Sequence, residues 1–454
     1  MNIFNSLGSN YNFGFVLKAL FAKNKQSFHS DLKKFLEKKY GGTAILVYKG
    51  REAITLALDI ILKSNDTPQV AINGFTCFAV YKAIETAGYE AVCLDLEYGF
   101  TNPHPNPLPK GEGRDEGGYG FDLNFSAQEL LKSIRQNPKI KVVIIQNTLG
   151  YPCDIENIAK VCRQNNLILI EDLAHCVGAK YKNGKEAGTV GDFVVLSFSQ
   201  DKIIDATSGG ALIIRNKKYQ HYTSPRRWQA ESHDSSEVDS NETIGQLNNV
   251  DFNQQLLDRF YPLFTFIIRK TYRIGIGRPI HFLFKTLNLL SKPMNESFYT
   301  KYDLPNWYCS LVLNAFDNLE KNLEHRKRIV DIHNRMLDKK ITSDSINKNI
   351  KLSSCLRYPI FVENRKDLIN YLKKEGIYVS DIWYDDVDKN LPNAQIAANT
   401  ILNLPTHINV SENDARKIVQ EINQFFRHSG NQASPDHPES PPNPLPLPRG
   451  RGLG

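Results

Sequence analysis

Residues 167–175, LILIEDLAH, and residues 193–215, FVVLSFSQDKIIDATSGGALIIR, decide the fold. In the first stretch, Leu167 to Glu171 is apolar up to its last position and then meets Asp172, Leu173, Ala174 and His175. In the second, Phe193 to Phe198 leads through Ser199, Gln200 and Asp201 to Lys202, and Ser208-Gly209-Gly210 opens a further apolar run, Ala211 to Arg215. Short β-branched and aromatic runs without polar alternation are the signature of strands covered on both faces. Chemically capable groups follow directly after them.

The pattern continues outward. Ala44 to Tyr48, Gln69 to Asn73, Ala91 to Leu96 and Lys141 to Gln146 read as further strands, and helical patterns such as Glu52 to Lys63 and Asp154 to Asn165 lie between them. Strands alternating with helices predict an α/β domain with a mostly parallel sheet. Such sheets bind ligands beyond the carboxyl ends of their strands, so the residues after each run are the first candidates for a site.

Three of those ends carry compatible chemistry. The first strand runs into Lys49-Gly50-Arg51-Glu52 at a helix start, where backbone N–H groups and the helix dipole suit a phosphate. Lys202 lies thirty residues past Asp172. A lysine, a carboxylate and an anion site are the parts a pyridoxal phosphate enzyme requires: an amine for a Schiff base with the aldehyde, an acid partner for the pyridine nitrogen, and a cradle for the phosphate.

At these residues the chain resembles the DegT/StrS family of sugar aminotransferases, fold type I enzymes that use pyridoxal phosphate and act mostly on nucleotide-linked keto sugars. The resemblance is carried by Gly50-Arg51-Glu52-Ala53-Ile54-Thr55-Leu56-Ala57-Leu58, by Phe75-Thr76 through Ala87-Gly88 to Asp95, and by Gly150-Tyr151-Pro152-Cys153-Asp154. It continues through Glu171 to His175 with Gly178-Ala179, Gly191-Asp192 with Ser197-Phe198 to Lys202, and Ser208-Gly209-Gly210-Ala211. Leu391-Pro392-Asn393-Ala394 and Leu404-Pro405-Thr406-His407 look like the family's closing motifs. Residues 28 to 101, 121 to 216 and 303 to 427 are covered.

The resemblance implies a role for each matching position. Lys202 is the Schiff-base lysine and proton shuttle, and Asp172 the partner of the pyridine nitrogen. Gly50, Arg51, Glu52 and Ser197 surround the cofactor phosphate; Ala174 and His175 lie against or beside the ring. It also implies a homodimer with a site shared between subunits, and Lys202 favours transamination, since family members turned dehydratase carry histidine there. Three positions depart from the pattern. Arg51 stands where threonine is common, and Cys77 where an aromatic often stacks, with Phe78 beside it as a substitute. Lys301-Tyr302-Asp303-Leu304 replaces an Asn-x-Arg-Met segment whose asparagine reaches the partner's cofactor.

Composition sets the limits. With 454 residues, 41 % of them hydrophobic and 23 % charged, the chain is a folded protein of more than one domain and neither collagen-like nor wholly disordered. Its seven cysteines form no CxxC pair, and no histidines stand at ligand spacing, so we expect a reducing, cytoplasmic setting and no metal. The run Phe13 to Ala22 reads as an amphipathic helix and not a signal peptide. The net charge of +7 is local: seven basic residues and no acid lie between Arg259 and Lys292, which argues against a nucleic-acid partner.

These features predict a large domain over 1–216, a basic amphipathic insert over 217–302, and a small α+β domain over 303–428 in which Trp383 and Tyr384 could face the substrate. Of 22 prolines, eleven fall in 103–109 and 435–448, so 102–118 is expected to be a surface loop and 429–454 a disordered tail. Pro262, Gly275, Gly277 and Pro279 are expected to break the insert into short helices, and 259–292 fits either contact with an anionic membrane, at the inner face, or a helical pair closing the dimer or lining the substrate entrance. The leading expectation is amino transfer from glutamate to a nucleotide-linked keto sugar. The alternatives are another fold type I enzyme, such as a dehydratase or one with a different carbonyl acceptor, and a non-catalytic protein of this fold acting at a membrane surface.

Overall fold

The computed structural model describes residues 2–61, 68–97, 120, 122–223, 247–291, 301–379, 385–386 and 388–430. The expected loop at 102–118, the Pro-rich tract 435–448, the acidic stretch Glu231 to Glu242, Lys292, Trp383 and Tyr384 lie outside these residues.

All seven predicted strands of the large domain form, and they form one sheet. We label them β1 (Thr43–Val47), β2 (Gln69–Asn73), β3 (Glu90–Leu94), β4 (Ile140–Ile145), β5 (Ile168–Asp172), β6 (Phe193–Ser197) and β7 (Gly210–Ile214). Their order across the sheet is β1-β7-β6-β5-β4-β2-β3. β7 alone is reversed, pairing antiparallel with both β1 and β6. The register sets Gly210, at the start of β7, beside Val47 and Ser197, at the carboxyl ends of β1 and β6. In the same way Asp172 pairs with Val195 across β5 and β6. The chemically capable residues therefore gather along one edge.

β4 shows why these runs are apolar throughout. Val142 and Ile144 pack with Ala53, Ile54, Ala57 and Leu58 of the helix Gly50–Ile61. Val143 and Ile145 face the other way, into the core built by the helices Ser27–Tyr40, Ile155–Gln164 and Asn306–Asp317. Each such buried side chain contributes about 1.5–3 kcal/mol, and both faces must be covered for the strands to be buried at all.

The second unit is built on the antiparallel pair Arg357–Phe361 and Ile401–Pro405 with the helices Leu319–Met336, Arg365–Lys374 and Glu412–Gly430 around it. The last helix starts as its sequence predicts: Ser411 Oγ donates to Asp414 Oδ2 at 2.7 Å and accepts from the Asp414 backbone at 3.1 Å. The N-terminal strand Ile3–Phe4 pairs with Ile377–Tyr378 and not with the large sheet, so that Ile3 lies in the core of this second unit.

The basic insert contains one long helix, Phe252–Thr271, a short turn and a second helix, Gly277–Thr286. Sequence reading places a break at Pro262, and here it is wrong. The helix runs through Pro262 because its inner face, Asp258, Tyr261, Thr265 and Ile268, is buried against the body of the protein, and Thr265 Oγ1 donates to the Tyr261 carbonyl at 2.8 Å. That packing outweighs the roughly 3 kcal/mol a mid-helix proline costs. The chain turns at Gly275, which adopts φ +82°.

Candidate active site

The phosphate turn is the most constrained feature of the edge. A Cβ on Gly210 would stand 2.7 Å from the Gly50 nitrogen, and a Cβ on Gly50 would stand 2.8 Å from Ser197 Cβ. Only glycines let β1, β6 and β7 bring Lys49-Gly50, Ser197 and Ser208-Gly209 this close. Lys49 Nζ donates to Ser208 Oγ at 2.6 Å, and Ser208 Oγ donates to the Tyr48 carbonyl at 3.1 Å. Burial pushes the Lys49 amine down, with Arg51 adding to the effect and Asp258 and Glu52 opposing it. A half-buried cation, a serine hydroxyl at each neighbouring strand end and the first turn of the helix Gly50–Ile61 make a donor set suited to a phosphate.

At the centre of the edge, Lys202 Nζ lies 2.8 Å from His175 Nε2. Burial holds His175 well below its usual range, and Lys202 and Arg357 push in the same direction. The ring is therefore neutral, and its Nε2 accepts from the lysine. Burial likewise lowers Lys202, against the opposing charges of Cys77, Asp172 and Asp201. Asp172 is 4 % exposed, and its Oδ1 accepts from the Ala174 backbone at 2.9 Å. Burial raises its carboxyl to about 6, with the Ala174 bond and Lys202 pulling it back down.

Much of what holds these groups was not legible in the sequence. Glu171, next to Asp172, is a buried clamp: it accepts from Tyr181 Oη at 2.6 Å and from the backbones of Gly188, Val190 and Gly191 at 2.7, 2.8 and 2.5 Å. Asp201 and Thr207, flanking the lysine turn, adopt φ +63° and +69°, which costs a non-glycine residue about 1 kcal/mol or more. Asp205 secures that turn by accepting from the backbones of Asp201 and Thr207 at 2.7 and 3.0 Å and from Tyr11 Oη at 2.8 Å. Asn10 Nδ2 donates both to Asp205 at 2.9 Å and to the Lys202 carbonyl at 3.1 Å.

Arg357 enters from the second unit, fully buried, and donates to the Asn5 carbonyl at 2.7 Å while its charge bears on both Lys202 and His175. An arginine inside the apolar run Arg357–Phe361 was the one available signal. Nothing local tied it to residue 202.

The remaining predicted positions divide. Cys77 precedes the helix Phe78–Thr86 and lies near enough to Lys202 to bear on its amine. Phe78 does not substitute for a stacking aromatic within the chain; it is 53 % exposed and stacks on Tyr81 of its own helix. Glu52 supports the turn and not a phosphate, its Oε2 accepting from the backbones of Tyr48, Lys49 and Tyr302 at 3.1, 3.3 and 3.4 Å. Burial holds this carboxyl at about 8. Lys301-Tyr302-Asp303 braces the same turn. Tyr48 donates its N–H to the Tyr302 carbonyl at 3.0 Å, Lys301 pairs with Asp59, and Asp303 pairs with His29 at 2.9 Å.

This arrangement fits pyridoxal phosphate. Lys202 would hold the aldehyde, Asp172 the pyridine nitrogen, and Lys49, Gly50, Arg51, Ser197 and Ser208 the phosphate. Gly50→Ala is expected to weaken cofactor binding at least about tenfold, because the new methyl group must displace Ser197. Equilibrium dialysis of the cofactor measures it, and unchanged affinity would remove Gly50 from the cradle.

A pH effect follows from Asp172. Without cofactor its folded value of about 6 stands above the unfolded value of 3.8, so the folded chain holds this proton more tightly. That contribution to stability is fully present below pH 4 and lost as pH rises through 6, a loss on the order of 3 kcal/mol. Asp172→Asn lacks the titration, so relative to wild type its cofactor-free stability should improve by about 2–3 kcal/mol between pH 4 and pH 7. Urea titrations at the two pH values give the difference directly; a constant difference would contradict the assignment.

Comparison with known proteins identifies the family. The model of the DegT/DnrJ/EryC1/StrS aminotransferase family matches residues 122–247 and 288–423. The chain is 28 % identical over 186 residues to GDP-perosamine synthase of Escherichia coli O157:H7, covering 40 % of this chain and 43 % of that protein. It is 21 % identical over 396 residues to the pleiotropic regulatory protein of Geobacillus stearothermophilus, covering 84 % of each. Over 265 residues it is 23 % identical to UDP-4-amino-4,6-dideoxy-N-acetyl-beta-L-altrosamine transaminase of Campylobacter jejuni, covering 57 % of this chain and 56 % of that one. The chain thus spans less than half the length of the GDP-perosamine synthases it matches. Helicobacter pylori PseC, an aminotransferase involved in the biosynthesis of pseudoaminic acid, shares the fold with a TM-score of 0.65 at 16 % identity, covering 94 % of this chain and 100 % of that one. The expected fold type I architecture is borne out.

Proposed function

The chain belongs to the DegT/DnrJ/EryC1/StrS aminotransferase family, and from that premise we propose that it is a pyridoxal phosphate-dependent aminotransferase moving an amino group from glutamate to a keto carbon of a nucleotide-linked sugar. The observation that carries the reading is Lys202 Nζ, 2.8 Å from His175 Nε2, beside the buried Asp172 and next to a phosphate turn. Relatives named for GDP- and UDP-linked amino sugars support the acceptor class. The presence of a lysine at 202 favours amino transfer over dehydration. Seven free cysteines suit a reducing compartment such as the cytoplasm, and the family resemblance supports a homodimer.

When bound, the cofactor supplies an aldehyde that takes up the amino group and a ring that accepts the electron pair left by a departing proton. The chain's own groups do the rest. Lys202, its amine lowered by burial, moves the proton at its Nζ. His175 stays neutral and orients that nitrogen. Asp172, oriented by the Ala174 N–H, would hold a negative charge for the pyridine nitrogen. The second unit, through Arg357, adds a buried positive charge near the lysine that favours its neutral form.

The donor half of the reading has its own test. Cofactor-loaded protein mixed with glutamate alone should release one 2-oxoglutarate per chain and then stop. Continuous release, or none, would count against an amino group stored for a second substrate.

A further inference from the structure

Eleven of the fifteen large apolar side chains that stand exposed among the described residues belong to only two stretches, 13–21 and 252–287. Phe252, Leu256 and Phe260 recur at helical spacing along one face of the helix Phe252–Thr271, while its opposite face docks on the body. There Tyr48 Oη and Tyr308 Oη donate to Asp258 at 2.5 and 2.7 Å, while Arg259, at the flank of the exposed stripe, stacks on Trp307 at 4.7 Å. A helix that has already buried one face should be polar on the other. This one continues outward in apolar contacts: Phe260 stacks on Phe264 at 5.8 Å, Phe264 meets Phe284 at 4.8 Å, and Phe266 meets Phe13 at 6.0 Å. Ile274, Ile276, Phe282, Leu283 and Leu287 extend the exposed surface along the turn and the second helix.

The charge on this surface has one sign. Lys270, Arg273, Arg278 and Lys285 are exposed, and the only acid from 252 to 291 is the buried Asp258. The family match breaks over 248–287. A cavity of about 410 Å³ adjoins the face, lined by Tyr11, Phe13, Phe266, Arg269, Lys270 and Arg273, with Asp414 as the acid on its wall. No described helix is long and apolar enough to cross a membrane.

We infer that this face rests in the interface of an anionic lipid bilayer, its apolar side chains among the acyl chains and its four exposed cations at the headgroup phosphates. A second copy of the chain is a poorer occupant. A twofold contact would set the same uncompensated cations against themselves, whereas an anionic surface complements them.

The test uses full-length, cofactor-loaded protein pelleted with vesicles. Phosphatidylglycerol vesicles should retain it at low salt and pure phosphatidylcholine vesicles should retain it weakly. Binding should fall at least about tenfold as salt shortens the Debye length from about 30 Å at 0.01 M to about 10 Å at 0.1 M and below. Each basic residue near such a surface is worth about fivefold in partitioning, so Lys270→Glu, Arg273→Glu, Arg278→Glu and Lys285→Glu combined should reduce binding more than about a hundredfold. Phe282→Ser with Leu283→Ser should weaken it independently while glutamate turnover in solution and oligomeric state by light scattering stay unchanged. If wild-type protein fails to pellet with phosphatidylglycerol vesicles, or if either set of substitutions changes the oligomeric state, the face belongs to a protein contact and the inference is overturned.

Discussion

Lys202→Ala is expected to leave a folded protein that neither links the cofactor nor turns over. The lysine follows β6, whose apolar residues are buried on both sides and do not depend on it. Its turn is secured by Asp205, Asn10 and Ser9 through their contacts with the backbones of residues 201, 202 and 207 and with the Asp201 side chain. Removing Nζ deletes both the amine that holds the aldehyde and the group that moves the proton. General acid–base contributions alone are worth about 10²–10⁴-fold, so a fall in kcat of at least about 10⁴ is expected. Borohydride treatment followed by peptide mass spectrometry should find cofactor on residue 202 in wild type and none in the variant, with circular dichroism unchanged. Cofactor trapped in the variant would show that a different lysine does this work; Lys49, beside the cradle, would be the first to inspect.

Asp172→Asn separates charge from geometry. The amide oxygen can still accept from the Ala174 N–H, so the side chain keeps its orientation and the variant should still bind cofactor. It cannot hold a negative charge against a protonated ring nitrogen, and the electron pair released at proton transfer is then stabilised far less. A fall in kcat on the order of 10³-fold or more, with the KM for glutamate changed only a few-fold, is the expected split. Near-normal turnover would remove Asp172 from the cofactor and leave it as a buried acid after a strand.

The parts of this account that were legible in the sequence share a physical cause. β4 and β6 could be read within one residue because burial on both faces demands an unbroken apolar run. Lys202, Asp172, Ser197 and Gly50 could be read because parallel strands deliver their carboxyl ends to one edge. What escaped was long-range. Arg357 comes from the second unit, and Asn10 and Tyr11 reach the lysine turn across more than 190 residues. Glu171 looks like one more residue of a strand, yet it is the acid that pins the loop ahead of β6. Pro262 misled because its local cost is real and only tertiary burial outweighs it.

The central claim is amino transfer to a nucleotide-linked keto sugar. It is tested most directly by incubating the cofactor-loaded protein with ¹⁵N-glutamate and a panel of GDP-, UDP- and dTDP-linked keto sugars, and following the label by mass spectrometry. The account predicts that ¹⁵N appears in the amino form of at least one nucleotide sugar, matched by an equal amount of 2-oxoglutarate, and that the Lys202→Ala protein transfers none. Label that stays in glutamate with every sugar, while wild-type protein carries its cofactor on Lys202, would contradict it.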